Sequence, residues 1–210
     1  VPDSFLPENT MLLQLIMDWI EAEEANSSTS IDAYFIVLDM EKAFDRCSWD
    51  FLLQALSAIG FNQNFIDYIT LCYSHTHPPQ RSVVTNGYQS NPFPLKSGVA
   101  QGCPLSPLLF LIITEPLSRL FSRNRRGISP NPILPNRNGM KGVRINGKRL
   151  TITQFADDST LIQKIGDEQE ANTCLQIWQQ ATSMRENKSK REGLLLGKLN
   201  SNRHRAPLGV

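Results

Sequence analysis

The sequence lacks a long hydrophobic run. Its longest apolar stretch, near Leu105–Ile113, contains Ser106 and Pro107 and soon meets Glu115. A bilayer needs about 20 apolar residues in a row, so neither a membrane span nor a membrane partner is expected. The start, Val1-Pro2-Asp3-Ser4, has no basic region leading into an apolar core and does not read as a secretory signal. An intracellular place, cytoplasm or nucleus, is the expectation. Cysteine is sparse too. Cys47, Cys72, Cys103 and Cys174 lie far apart, with no CxxC pair and no neighbouring His pair. That excludes a disulfide framework, argues against zinc and leaves reduced thiols. His75 and His77 have a ligand-like spacing, but Pro78-Pro79 follows directly and makes a loop the simpler reading. There is no internal repeat and no low-complexity run.

What is present suits a globular chain. Its 210 residues are enough for a sizeable core, and 40% hydrophobic with 20% charged residues is ordinary. The net charge of +1 conceals an asymmetry. Residues 1–50 hold eleven acids against Lys42 and Arg46. Residues 119–149 hold nine bases (Arg119, Arg123, Arg125, Arg126, Arg137, Lys141, Arg144, Lys148 and Arg149) and no acid. Residues 185–205 add seven bases against Glu186 and Glu192. Such a distribution lets one face hold a polyanion, though a merely solvated surface would look the same.

The periodicities predict α+β. Leu12, Leu13, Leu15, Ile16, Trp19 and Ile20 recur at helical spacing over about Thr10–Glu24, with Asn9 or Thr10 as cap. Ala33–Leu38 is a continuous apolar run of strand length. Ser48 can cap a helix that runs through Ile59 and stops at Gly60. A further helix is expected near Asn64–Tyr73. Arg81–Asn86 and Tyr88–Leu95 read as two strands turning at Asn86-Gly87. Ser106-Pro107 opens an apolar helix that Pro116 should kink or divide. Residues 127–142, rich in Gly, Pro and Asn, read as an exposed loop. Leu150, Ile152 and Gln154 alternate with Thr151, Thr153 and Phe155, and Ser159–Gln163 returns as the partner strand. Asp167–Met184 is the last clear helix, Asp167 and Glu170 being spaced as a capping pair, and Leu194–Leu196 is a final short strand.

Asp39 ends the buried run, where an unpaired charge is costly. Asp157-Asp158 falls at the bend between two apolar flanks. An ordinary polar turn would account for the pair alone. Three converging carboxylates, by contrast, repel one another and require a cation. Hard oxygen donors suit Mg²⁺. Two such ions about 4 Å apart serve phosphoryl transfer.

Four segments now carry a resemblance. Phe35-Ile-Val-Leu-Asp-Met-Glu-Lys-Ala-Phe-Asp45, followed by Arg46 and Trp49, resembles motif A of LINE-type reverse transcriptases. Gly98-Val-Ala-Gln-Gly-Cys-Pro-Leu-Ser-Pro107 is similar to motif B, and Phe155-Ala-Asp-Asp158 to motif C. Asn187-Lys-Ser-Lys190 with Glu192-Gly-Leu-Leu resembles motif D. Order and spacing match over about residues 5–197, and the four motifs together are far more specific than a lone Phe-Ala-Asp-Asp.

The resemblance implies a reverse transcriptase domain of a non-LTR retrotransposon. Its fold would be a right-hand polymerase palm, an antiparallel sheet with helices on one face. The palm core would cover about 31–60 and 100–197, with partial fingers at about 1–30 and 61–99. Early fingers segments would fall before Val1 and the thumb after Val210. Asp39, Asp157 and Asp158 would hold two Mg²⁺ ions, with Mn²⁺ as a substitute. Phe44 would form the steric gate beneath the incoming sugar, Gln101 and Gly102 would meet nucleotide or template, and Lys190 would protonate the leaving pyrophosphate. The partners would be an RNA template, a DNA primer and dNTPs. Oligomeric state is not legible.

There are departures. Ala100 stands where the family commonly has a basic residue, and the arginine usual near Ser4–Asn9 is missing. Asn124–Asn138 is longer than expected between motifs B and C. Two other readings stay open: an inactive, truncated element that at most binds nucleic acid, and an RNA-dependent RNA polymerase or another palm enzyme such as a nucleotide cyclase.

Overall fold

A computed structural model describes residues 6–27, 31–122, 140–155 and 158–197, with Leu6–Asn9 and Phe155 described by backbone alone. The described residues form two compact units. One draws on 1–40, 116–177 and 186–210, the other on 41–115 and 178–185.

The first unit is built on an antiparallel four-stranded sheet. Helix α1 (Leu6–Asn26) precedes strand β1 (Ala33–Leu38). Later come β6 (Val143–Ile145), β7 (Lys148–Leu150), β8 (Ile152–Phe155), β9 (Asp158–Lys164), helix α5 (Glu168–Thr182) and β10 (Glu192–Leu195). The sheet order is β10-β1-β9-β8. β1 is central because it is apolar on both faces: Ala33 to Ile36 and Leu38 are buried, and only Val37 is exposed. One face is closed by α1, whose Ile16 and Ile20 pack with Ala33, Phe35, Val143, Ile162 and Leu196. Phe35 and Ile162 are direct cross-strand partners, so they share that face.

Residues that look ordinary in the sequence have specific roles here. The Asp167 carboxylate accepts the backbone N–H groups of Lys141, Gly142 and Lys164 at 2.8, 3.0 and 3.1 Å. Sequence spacing suggests a capping role; the buried carboxylate also ties α5 to two other segments. β6 and β7 form a ribbon turning at Asn146-Gly147, both with positive φ (49° and 78°). That is the same Asn-Gly signal as at residues 86–87, masked in the sequence by the charged residues around it.

The second unit contains α2 (Trp49–Ile59), α3 (Gln63–Cys72), four two-residue strands and the first part of α4 (Ser106–Ser122). Ser48 caps α2 by accepting from Phe51 N–H at 3.3 Å, and Gly60 ends it at φ 100°. Trp49, Leu52, Leu56 and Ile69 are buried. The Trp49 indole donates to Gly98 O at 2.8 Å, and the Trp178 indole to Ile113 O at 3.1 Å. His75 packs its ring 4.9 Å from that of Trp49 and lies 3.7 Å from Asp50, a structural use.

Several expectations are corrected. α1 begins before Thr10, so neither Asn9 nor Thr10 is its cap. The two strands expected over 81–95 are instead two short ribbons. β3 (Val84–Thr85) pairs β4 (Tyr88–Gln89) around Asn86-Gly87, and β2 (Gln80–Arg81) pairs β5 (Phe93–Pro94). Pro92 and Pro94 lack the N–H groups a continuous ladder needs. Of the kink or division expected at Pro116, the division is corrected: α4 runs through it as one helix. The expected loop at 127–142 lies outside the described residues as far as Gly139. None of the described helices is long and apolar enough to cross a membrane.

Candidate functional site

The register of β1 on β9 governs the charged end of the sheet. Leu38 pairs with Ser159. Asp39 directly follows Leu38, and Asp158, which starts β9 and pairs with Phe155, directly precedes Ser159, so the two acids stand at the same end of neighbouring strands. The ladder thus carries two acids distant in sequence to one end of the sheet. Asp157, expected as a principal ligand, lies outside the described residues.

Asp39 is anchored from the motif D side. Its backbone carbonyl accepts Asn187 N–H at 2.8 Å, and its Oδ2 is 3.3 Å from the ammonium of Lys190. Asp39 keeps 37% of its side chain exposed and Lys190 keeps 64%. This pair sits at an open edge where water and ions have access, and its energetic worth is small. Its meaning is chemical: an acid at this position draws a cation.

The placement of Lys190 depends on residues that carry no motif in the sequence. Lys190 ends a short 3-10 turn, Lys188–Lys190. Arg191 follows at once and forks onto Glu186, donating to both carboxylate oxygens at 2.5 and 2.7 Å. The Glu186 side chain is 2% exposed. A bidentate pair this buried holds its geometry closely. Met40 also bridges Glu186 across the backbone, so the segment carrying Lys190 is fixed beside Asp39. Acid and base five residues apart in a basic tail give a weak signal for this.

The second unit brings Phe44, Gln101 and Gly102 together. They line one cleft of about 480 Å³ with Cys103, Pro104, Ser106 and Pro107. Phe44 is partly buried and stacked on Phe110, ring centroids 4.7 Å apart at 18°. That contact covers one face of the ring, and the residue is both packed and cleft-lining. Gly98 lies against the backbone of Phe44 and Asp45. A Cβ there would come within 2.8 Å of Phe44 O and 2.7 Å of Asp45 O, and φ is +90°. Val99 N–H donates to Phe44 O at 2.7 Å. Motif A and motif B are joined through these backbone contacts. Arg46 pairs with Glu41 at 2.8 Å, as its position suggests.

The donor set fits a divalent metal in kind. Asp39 and Asp158 are hard oxygen donors at an accessible edge, and one is already drawn to an ammonium. Among the described residues, which do not include Asp157, no three His, Cys, Asp or Glu converge.

A four-stranded antiparallel sheet with an acidic edge between motif A and motif C, and helices packed on it, defines a polymerase palm. The comparisons agree. The reverse transcriptase (RNA-dependent DNA polymerase) family matches residues 4–195, and the chain belongs to that family. It is 28% identical over 200 residues to a Xenopus laevis protein, the transposon TX1 uncharacterized 149 kDa protein, covering 95% of this chain and 14% of that one. It is 36% identical over 128 residues to the Pol polyprotein of the Drosophila melanogaster retrotransposable element R2DM, covering 61% of this chain and 10% of that one. The resemblance to non-LTR retrotransposons is thus borne out, and the chain spans a small part of these relatives. Among solved structures, telomerase from Candida albicans shares the fold at a TM-score of 0.56 and 12% identity, over 88% of this chain and 30% of that one. Telomerase from Candida tropicalis matches at 0.54 and 16%, over 89% and 29%.

Proposed function

We propose that this domain is the catalytic core of an RNA-directed DNA polymerase that extends a DNA primer on an RNA template. The observation that supports the reading is the pairing of β1 with β9, which carries Asp39 and Asp158 at the same end of neighbouring strands, with Lys190 3.3 Å from Asp39. Asp39, Asp157 and Asp158 are the proposed ligands of two Mg²⁺ ions. When bound, the metals lower the pKa of the primer 3′-hydroxyl and stabilise charge on the leaving pyrophosphate. Lys190, held by the neighbouring Arg191–Glu186 fork, is the proposed proton donor to that pyrophosphate. Phe44 is the proposed sugar gate, and Gln101 with Gly102 the proposed contact to nucleotide or template. The proposed palm covers about 31–60 and 100–197, with partial fingers at about 1–30 and 61–99.

The basic region supports a polyanionic partner. Arg144 stands directly opposite Arg149 on the β6–β7 ribbon, which concentrates positive charge there. Arg149 already donates to Met140 O, so Arg144 and exposed Lys148 are the better candidates for phosphate. Arg123, Arg125, Arg126 and Arg137 lie outside the described residues.

Primer extension on a homopolymer RNA template, with Mg²⁺ and dNTPs, tests the reading. Extension lost in Asp157→Asn supports it. Nucleic-acid binding without extension, unaltered by Asp157→Asn, supports an inactive element. Phe44→Ala should admit ribonucleotides; unchanged discrimination between dNTPs and NTPs would remove Phe44 from the gate.

A further inference from the structure

The segment that carries Lys190 is a closed loop, and both of its ends are pinned to the same stretch of backbone. On one side β10 pairs with β1 as far as Glu192 opposite Val37. On the other side Asn187 N–H donates to Asp39 O at 2.8 Å, and Glu186 bridges Met40. Residues 187–191 lie between these two anchors. Within the loop, Lys190 N–H donates to Asn187 O at 3.0 Å and Arg191 N–H to Lys188 O at 3.3 Å. The Ser189 hydroxyl donates to Asn187 Oδ1 at 2.6 Å.

The neck of the loop is closed by side chains. Arg191 donates to both oxygens of Glu186, and the two side chains are 18% and 2% exposed. Glu186 therefore touches both sides of the site. Its backbone meets Met40, next to Asp39, and its carboxylate holds Arg191, next to Lys190. A buried ion pair is a weak source of net stability, and fixing a register is its best-attested use. The Lys190 side chain is itself 64% exposed on a flexible stem, so its reach is set by where its backbone is held.

We propose that Glu186 is a positioning residue for nucleotidyl transfer: through Arg191 it holds the loop so that the Lys190 ammonium meets the leaving pyrophosphate. This inference rests on the polymerase reading. In that step the primer 3′-oxygen, whose proton passes to solvent, forms a bond to the α-phosphorus. The bond from that phosphorus to the bridging oxygen breaks, and its electron pair stays with pyrophosphate. Lys190 gives one proton to that oxygen and regains one from water.

Single-turnover addition of one nucleotide to a primer on an RNA template tests the inference. Glu186→Gln keeps the shape and removes the charge. It should slow addition by about tenfold or more and leave the dNTP concentration for half-maximal rate within about twofold of the parent. Arg191→Lys keeps the charge but cannot fork, and should slow addition in the same way. In a Lys190→Ala chain, Glu186→Gln should cost nothing further, because the group it positions is gone. A Glu186→Gln chain at the parent rate overturns the proposal, and so do additive losses in the double variant.

Amide hydrogen exchange supplies a readout that needs no catalysis. Exchange over residues 187–191 should quicken at least about tenfold in Glu186→Gln, with β1 and β9 protected as in the parent. Unchanged exchange in the loop overturns the proposal. Loosening throughout the sheet marks Glu186 as a general structural residue and overturns it equally. A parent chain that extends no primer overturns the polymerase reading and the catalytic use of the loop with it, whereas the exchange rates still show whether Glu186 holds Lys190 in place.

Discussion

The two units organise their functional groups by different means. In the sheet-bearing unit, position follows from strand register. Because Leu38 pairs with Ser159, Asp39 and Asp158 leave the ladder at the same end of neighbouring strands. In the other unit, position follows from close packing around a loop. Gly98 lies against Phe44 and Asp45, Trp49 holds Gly98 O, and Tyr73 receives Ala100 N–H at 3.2 Å. A ladder places charges at an edge open to ions. Close packing shapes a cleft lined by Phe44, Gln101 and Gly102. The lesson is that charge and shape recognition rest on separate structural supports, so they should fail separately.

The largest expected effect tests the ladder side. Asp39→Asn keeps the shape and removes the charge. Loss of metal stabilisation worth several kcal/mol predicts a fall in primer extension of at least about a thousandfold. Circular dichroism and melting temperature should stay near those of the parent. An Asp39→Asn protein that extends primer within tenfold of the parent would break the comparison.

Next comes the packing side. Gly98→Ala combines a positive φ with a Cβ 2.7 Å from Asp45 O, where only backbone could yield. Strain of this kind predicts a loss of more than about 2 kcal/mol in urea unfolding. A smaller loss would mean that the loop relaxes easily and that the cleft is not held by this contact.

A third test returns to the sheet. Gln163 is 1% exposed on β9, and neither amide atom has a partner. Gln163→Met, similar in shape and without the polar atoms, should be neutral or stabilising by up to about 1 kcal/mol. A clear destabilisation in the same assay would reveal a polar role at this position.

The smallest effect concerns acid. Burial raises the Glu168 carboxyl, but the Tyr34 hydroxyl at 2.7 Å, the backbone N–H groups of Glu168 and Gly166, and Lys141 outweigh it, and the net shift is downward. A carboxyl lowered on folding contributes stability that is fully present above its unfolded value, near 4.5, and is lost as pH falls through the folded value. Glu168 is largely exposed, so the contribution is well under about 1 kcal/mol. Tyr34→Phe should therefore narrow the stability difference between pH 7 and pH 3, read from urea midpoints. An unchanged difference would show that the hydroxyl does not act on Glu168.

Much of the frame is legible in the chain because it is local. Ser48 and Gly60 delimit α2 as capping chemistry requires, and Ala33–Leu38 declares a central strand by being apolar on both faces. The motif residues are legible as a pattern of types. Less legible are features that depend on competing local preferences. Residues 80–95 hold a strand pattern that their prolines cut into two ribbons. Pro116 looks like a divider, but α4 runs on to Ser122. The Glu186–Arg191 fork leaves almost no mark, since an acid and a base five residues apart are common on any surface.

By itself, the order of residues determined which groups could do chemistry here: carboxylates after one apolar run and at one bend, an aromatic five residues beyond the first, a lysine in a basic tail. Local propensity and capping sufficed for most of the elements that carry them. Only the tertiary structure decided which of these groups meet. Lys190 reaches Asp39 because backbone pairing brings residues more than a hundred positions apart to one edge. Phe44 meets Gln101 and Gly102 at one cleft because folding packs the loop before α4 against the end of motif A. Those outcomes depend on pairing register and on close packing, and neither is a property of any short stretch of sequence.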